Sequence, residues 1–188
     1  MKFILASASP RRKLLLEKAG YDFDVVISDV DETAFRTEGI ASSEHAKQLA
    51  LAKAKKVAKK YPAELVIGAD TVVDFEGTII GKPDDAEHAE DITRKLFSKP
   101  HEVITGVAFI RLSDNTEIVE SVTTLVYPRK LTEEQILAHI QNGQWQGKAG
   151  AYGIQETGDE FVERINGSFT NVIGLPMELI SDVLERLE

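Results

Sequence analysis

The chain contains no cysteine. Disulfides, thiolate metal sites and cysteine nucleophiles are therefore excluded. No apolar run approaches the roughly 18 residues that a membrane span needs. The apolar stretch at the start is too short for a signal peptide and carries no cleavage-like site, so a soluble cytoplasmic protein is the expectation. Positive charge is in deficit: 22 Lys and Arg against 31 Asp and Glu leave a formal net charge of −9. That balance argues against a general nucleic-acid or anionic-membrane binder. It leaves room for a small polyanion held in a local basic cluster with a divalent metal. Repeats and low-complexity linkers are also missing. His45, His88, His101 and His139 show neither paired metal spacing nor a triad companion, and they read as surface or capping residues. What is present suits a globular α/β protein: 188 residues, 43% of them hydrophobic, enough for one domain or two closely packed lobes.

The first segment to stand out is Ser7-Ala8-Ser9-Pro10-Arg11-Arg12. It follows the apolar residues Phe3, Ile4 and Leu5, which read as a short buried strand, and it opens a helix through Lys18. Ser9 suits the N-cap and Pro10 the first helical position. Two arginines in the first turn oppose the helix dipole, at a cost of a few tenths of a kcal/mol each. A bound anion would reverse that penalty, since free backbone N–H groups, hydroxyls and guanidinium groups would all face it. Without an anion, the segment is a capped surface helix with two solvated arginines.

Further along, Tyr21–Ser28 reads as a strand and Ser28–Ser43 as an acidic loop. A helix capped by Ser43 then runs to about Lys60, with Ala46, Ala50, Ala54, Val57 and Tyr61 as its apolar stripe. Lys53 lies on the edge of that stripe, between Leu49 and Val57, unlike the solvated Lys55, Lys56 and Lys59. Glu64–Val73 begins as a buried strand and is expected to break at Gly68-Ala69-Asp70-Thr71. Thr78–Ile80 is a short return strand, and Pro83 and Asp84 start a helix with Ala86, Ala89, Ile92 and Leu96 inward. His101–Leu112 and Thr116–Val126 form a hairpin around Ser113-Asp114-Asn115. Thr132–Asn142 is a helix with a Thr132/Gln135 capping box. Gln144–Gly158 is glycine-rich and irregular, Phe161–Ile165 is a strand, and Pro176–Leu187 is a closing helix. The hairpin interrupts the βα alternation and implies a mixed sheet.

Asp70 is the strongest single candidate for chemistry. In α/β proteins ligands sit beyond the carboxyl ends of strands, and a carboxylate there can hold Mg²⁺ or orient water, or simply cap a turn. Glu32 is either a second hard oxygen ligand or a solvated loop charge. Lys82, between Gly81 and Pro83, sits in a loop stiff enough to aim it at a phosphate. Trp145 and Tyr152 flank a stretch of small residues and either stack on a base or join the core. Lys148-Ala149-Gly150-Ala151-Tyr152-Gly153-Ile154-Gln155 lets a backbone pass close to a flat ligand, and Gln155 offers both a donor and an acceptor to a base edge. Asn171–Pro176 reads as structural.

Together these segments resemble the Maf family of nucleotide pyrophosphatases. The resemblance rests on Ser7–Arg12, Val30-Asp31-Glu32-Thr33, Gly68–Thr71, Gly81-Lys82-Pro83, Lys148–Gln155 and Gly174-Leu175-Pro176, in family order over nearly the whole chain. Arg11, Thr71 and Gln155 resemble the subgroup acting on dTTP and UTP, although Glu156 stands where members commonly have glycine. The resemblance implies one domain over residues 1–188. Its fold would be an elongated mixed central sheet flanked by helices, in two lobes around a cleft, like inosine triphosphate pyrophosphatases. It implies cleavage between the α- and β-phosphates with Mg²⁺ or Mn²⁺, commonly by a homodimer. Ser7, Ser9, Arg12, Lys53 and Lys82 would bind the phosphates. Glu32 and Asp70 would hold the metal, with Asp70 activating water, and Arg11, Thr71 and Gln155 would choose the base. The competing expectation is a non-catalytic nucleotide-binding regulator of cell division.

Overall fold

A three-residue strand starts the sheet, and its shortness shapes everything near the site. The computed structural model describes residues 1–153 and 161–188. Its strands are β1 (Phe3–Leu5), β2 (Phe23–Val25), β3 (Val66–Phe75), β4 (Thr78–Ile80), β5 (His101–Arg111), β6 (Thr116–Pro128) and β7 (Val162–Asn166). They form one mixed sheet in the order β2-β1-β3-β5-β6-β7, with β4 on β3. β1 runs parallel to β2 and β3, and the remaining pairings are antiparallel. The helices are α1 (Pro10–Lys18), α2 (Ser42–Ala58), α3 (Ala86–Leu96), α4 (Glu133–Asn142), α5 (Phe169–Ile173) and α6 (Met177–Leu187). No helix among the described residues is long and apolar enough to cross a membrane.

Strand alternation sorts the core into layers. On one face, Ile4, Ala6, Val66, Ala108 and Ile110 pack under Ala50, Ala54 and Val57 of α2. On the other, Phe3, Leu5, Ile67, Ala69, Val107 and Phe109 meet Leu16 of α1 and Ile180, Val183 and Leu184 of α6. Farther along that face, Val73, Phe75, Val103 and Val126 meet Ala89, Ile92 and Leu96 of α3, together with Trp145 and Tyr152.

β3 does not break at Gly68. It continues for ten residues, and the glycine answers a different requirement. A Cβ at Gly68 would lie 2.3 Å from the Ala50 carbonyl oxygen, and one at Gly106 would lie 2.4 Å from the Ala46 carbonyl oxygen. The small residues of α2 and these two glycines therefore let helix backbone rest almost on strand backbone. α2 begins at Ser42 behind Ala41 rather than behind a Ser43 cap, and the Ser42 hydroxyl hydrogen-bonds the Asp74 carboxylate. Tyr61 lies past the end of α2 and is exposed. α3 begins at Ala86 behind an Asp85 cap, and the Thr132/Gln135 capping box is present.

Three of the four histidines are buried, against the expectation of surface or capping positions. His45 Nδ1 pairs with the Arg36 carbonyl at 3.0 Å, and His139 Nε2 pairs with the Ala151 carbonyl at 2.7 Å. His101 bridges the Leu96 carbonyl (3.2 Å) and the Tyr152 hydroxyl (2.7 Å). Their spacing carries no helical or strand period of its own, so burial was not visible in it. Only His88 stays exposed, near the start of α3. Burial holds the His101 imidazole down to about 4, well below its ordinary value of 6.5. Between those two values the unfolded chain binds a proton that the folded chain refuses. Stability therefore falls as pH drops through that window, by about 3 kcal/mol in full. Urea midpoints at pH 7 and pH 4.5 should separate less in His101→Gln than in the parent, and an equal separation refutes this.

Candidate functional site

β1 ends at Leu5, where the next amide, that of Ala6, bonds the Ile67 carbonyl at 2.8 Å. β4 joins the same edge of β3 only at Val73. Between them Gly68–Val72 has no strand on that side, and a cleft of about 980 Å³ opens there. Alternation along β3 turns Asp70 toward α2 and Thr71 toward the opposite face, so the cleft is supplied from both sides of the sheet.

From the first side comes Lys53. Its ammonium donates to Asp70 Oδ1 at 2.6 Å and pairs with Glu32 Oε1 at 2.7 Å. The Lys53 and Asp70 side chains keep only 10% and 11% of their exposure, so this is a desolvated ion pair. Glu32 stands on a short 3-10 turn capped by Asp31 and also pairs with Lys82 at 3.4 Å. Partial burial opposes ionisation of Glu32, but Lys53 and Lys82 outweigh it and hold the carboxyl below its usual range.

From the other side comes Arg12. Ser9 caps α1 by accepting from the Arg12 amide, as expected. The Arg12 side chain donates Nε–H to the Gly174 carbonyl (2.7 Å), Nη1–H to Ser7 Oγ (3.1 Å) and Nη2–H to Thr71 Oγ1 (3.0 Å). A guanidinium has five N–H groups, so two are not used by these three bonds. Burial pushes the Arg12 group down, while Asp70 and Glu32 across the cleft push it back. Gly174 has φ +125°, a conformation that favours glycine. Arg11 also lines the cleft, with Nε buried and lacking a hydrogen-bond partner among the described residues.

The structure therefore brings Ser7, Ser9, Arg11, Arg12, Glu32, Lys53, Asp70, Thr71 and Lys82 to one cleft. Gln155 lies outside the described residues. Tyr152 reaches the cleft from the core, but Trp145 is a core residue whose indole donates to the Ile140 carbonyl (3.0 Å). Sequence reasoning quoted Lys148 only as the head of the small-residue run and gave no role to its side chain, which is buried and lines the cleft, nor to the Gly174 carbonyl that anchors Arg12. A lysine at the head of a small-residue run was a usable signal for the first. A carbonyl acceptor leaves no mark in a side-chain pattern. Val73, Val103, Val172 and Ile173 join Tyr152 as apolar lining, while Ser28, Asp29, Gln144 and Gln146 add polar groups.

The carboxylates suit a divalent cation. Asp70 and Glu32 lie close enough to share one positive centre, the Lys53 ammonium, so both carboxylates are within reach of a common charge. No group of three or more acidic or histidine side chains among the described residues forms a complete cage. Two hard oxygens without a cage match the usual Mg²⁺ arrangement, in which substrate phosphates supply further ligands.

A family model described as "Maf-like protein" matches residues 2–187. A protein of Ruminiclostridium cellulolyticum named dTTP/UTP pyrophosphatase is 41% identical over 184 residues, covering 98% of this chain and 95% of its own. Another of that name from Geotalea uraniireducens is 46% identical over 184 residues, covering 98% and 94%. Among solved structures, the Staphylococcus aureus Ham1 protein aligns with a TM-score of 0.46 at 15% identity, over 69% of this chain and 73% of that one.

Proposed function

This chain belongs to the Maf family, and from that premise we propose that it is a nucleoside triphosphate pyrophosphatase that hydrolyses dTTP and UTP to the monophosphate and pyrophosphate. One observation carries the reading: the desolvated Lys53 ammonium, gripped by Asp70 and Glu32 on the bare edge of β3 beside the fork of Arg12. A pure anion binder gains nothing from two carboxylates next to phosphates unless a cation bridges them.

In this reading Ser7, Ser9, Arg12, Lys53 and Lys82 bind the triphosphate, each charge-assisted bond contributing roughly 1.5–3 kcal/mol. The two N–H groups of Arg12 not committed to its neighbours form a fork for phosphate oxygens. Asp70 orients the attacking water and accepts its proton. Lys53 occupies Oδ1, and Oδ2 has no hydrogen bond among the described residues, so Oδ2 is the accepting atom. Water attacks phosphorus and the α–β anhydride bond breaks. Glu32 and Asp70 would hold Mg²⁺ or Mn²⁺, which would neutralise charge on the phosphates. Arg11, Thr71 and Gln155 select the base, with Val73, Val103 and Ile173 as apolar walls. The same reading takes residues 1–188 as one domain of two lobes and, through the family resemblance alone, as a cytoplasmic homodimer.

A pyrophosphate-release screen over common and modified nucleoside triphosphates, with Mg²⁺ and with Mn²⁺, tests this. Turnover is expected to be highest for dTTP and UTP. Binding without turnover of any nucleotide would replace the enzyme with the non-catalytic regulator.

A further inference from the structure

Behind Arg12 and Thr71 a chain of hydrogen bonds, partly buried at the cleft and fully buried beyond it, runs to residues that the proposed chemistry does not use. Thr71 Oγ1 accepts from Arg12 Nη2, which can only donate. The Thr71 hydroxyl proton must therefore go elsewhere. Thr105 Oγ1 lies 2.9 Å away, and the Gly174 carbonyl, already bonded to Arg12, lies at 3.4 Å. Thr105 is wholly buried on β5, where it pairs in register with Thr71. Its own proton has a destination in the Asn171 carbonyl at 3.2 Å. Asn171 is fixed in turn, since its buried Nδ2 donates to the Val103 carbonyl (2.9 Å) and Thr124 Oγ1 (3.0 Å). With the Thr105 proton on the Asn171 carbonyl, which can only accept, the Thr71–Thr105 bond is left to the Thr71 proton. The bonds then run one way, from Arg12 through Thr71 and Thr105 to Asn171.

We infer that Thr105 is a specificity-determining positioning residue. By taking the Thr71 proton inward, it leaves Thr71 able to accept a hydrogen bond from a ligand but unable to give one. This rests on the reading of the cleft as a dTTP and UTP site in which Thr71 meets the base. The pairing edge of uracil and thymine has a single donor, N3–H, flanked by two carbonyls. An acceptor-only hydroxyl reading that edge meets N3–H. Cytosine presents a bare N3 there, and two acceptors facing each other cannot hydrogen-bond. Freed from Thr105, the Thr71 hydroxyl can turn and donate, and cytosine is no longer refused.

Thr105→Val keeps shape and β-branching but removes the hydroxyl, Thr105→Ser keeps the hydroxyl, and Thr105→Ala serves if the valine variant does not fold. For each, kcat/KM and calorimetric binding are measured with dTTP and dCTP. The preference for dTTP over dCTP should fall by about tenfold in Thr105→Val and return in Thr105→Ser. A purely structural role would lower both nucleotides together and leave the ratio alone. An unchanged ratio in Thr105→Val, a serine variant that fails to restore it, or equal binding of both nucleotides by the parent overturns the inference. Preferential binding of dTTP without any pyrophosphate release would overturn the catalytic reading instead and leave this one standing.

Discussion

Asp70→Asn should lower pyrophosphate release from dTTP by a thousandfold or more, with the fold intact. The substitution is nearly isosteric, and Lys53 keeps its contact with Glu32 at 2.7 Å, so the buried ammonium is not left alone. What disappears is an oxygen able to accept a proton and half of the paired negative charge. Loss of a positioned base commonly costs about 10²–10⁴-fold, and loss of a hard oxygen ligand adds to that. Activity is read by pyrophosphate release and folding by a thermal melt. Unchanged turnover would transfer water activation to Glu32.

Gly68→Ala should be strongly destabilising, at about 3 kcal/mol or more, the upper end of overpacking effects. The added carbon would lie 2.3 Å from the Ala50 carbonyl oxygen and 2.7 Å from the Ala54 amide nitrogen. Both are helix backbone, so truncating a neighbouring side chain cannot relieve the clash. α2 would have to lift from the sheet and carry Lys53 away from Asp70, so activity should fall along with stability. Gly81→Ala is the control, because a Cβ there meets nothing within 4 Å. Urea midpoints compare the two, and a Gly68→Ala midpoint equal to that of the parent sinks the argument.

Much of the architecture was legible in the sequence where local chemistry and tertiary packing agree. The alanine stripe of α2, the Ser9 cap with Pro10, the hairpin around Asp114 and the Thr132/Gln135 box each announce an element. The mismatch of Arg12 with its helix dipole was visible too, as was the placement of Lys53 at the border of an apolar stripe. Other features depend on partners distant in sequence. Gly68 looks like a chain break until the helix above it is known. The buried histidines satisfy themselves on carbonyls and a tyrosine hydroxyl that no spacing reveals. Thr105 sits in an apolar strand pattern as an ordinary β-former, and only its partners disclose its orientation. Gln155, chosen from the small-residue run, lies outside the described residues.

The brevity of β1 has a further consequence. Two or three more residues of ladder past Leu5 would cover Gly68–Asp70 and complete the sheet. Each added backbone bond would contribute about 1 kcal/mol net. The protein forgoes those rungs and keeps a notch instead. An open strand edge ordinarily invites a stray extended chain to zip onto it. Here the notch is ringed by Arg12, Glu32, Lys53 and Lys82, whose desolvation a passing peptide could not repay. A small, multiply charged anion brings its own compensation and can enter where a polypeptide cannot.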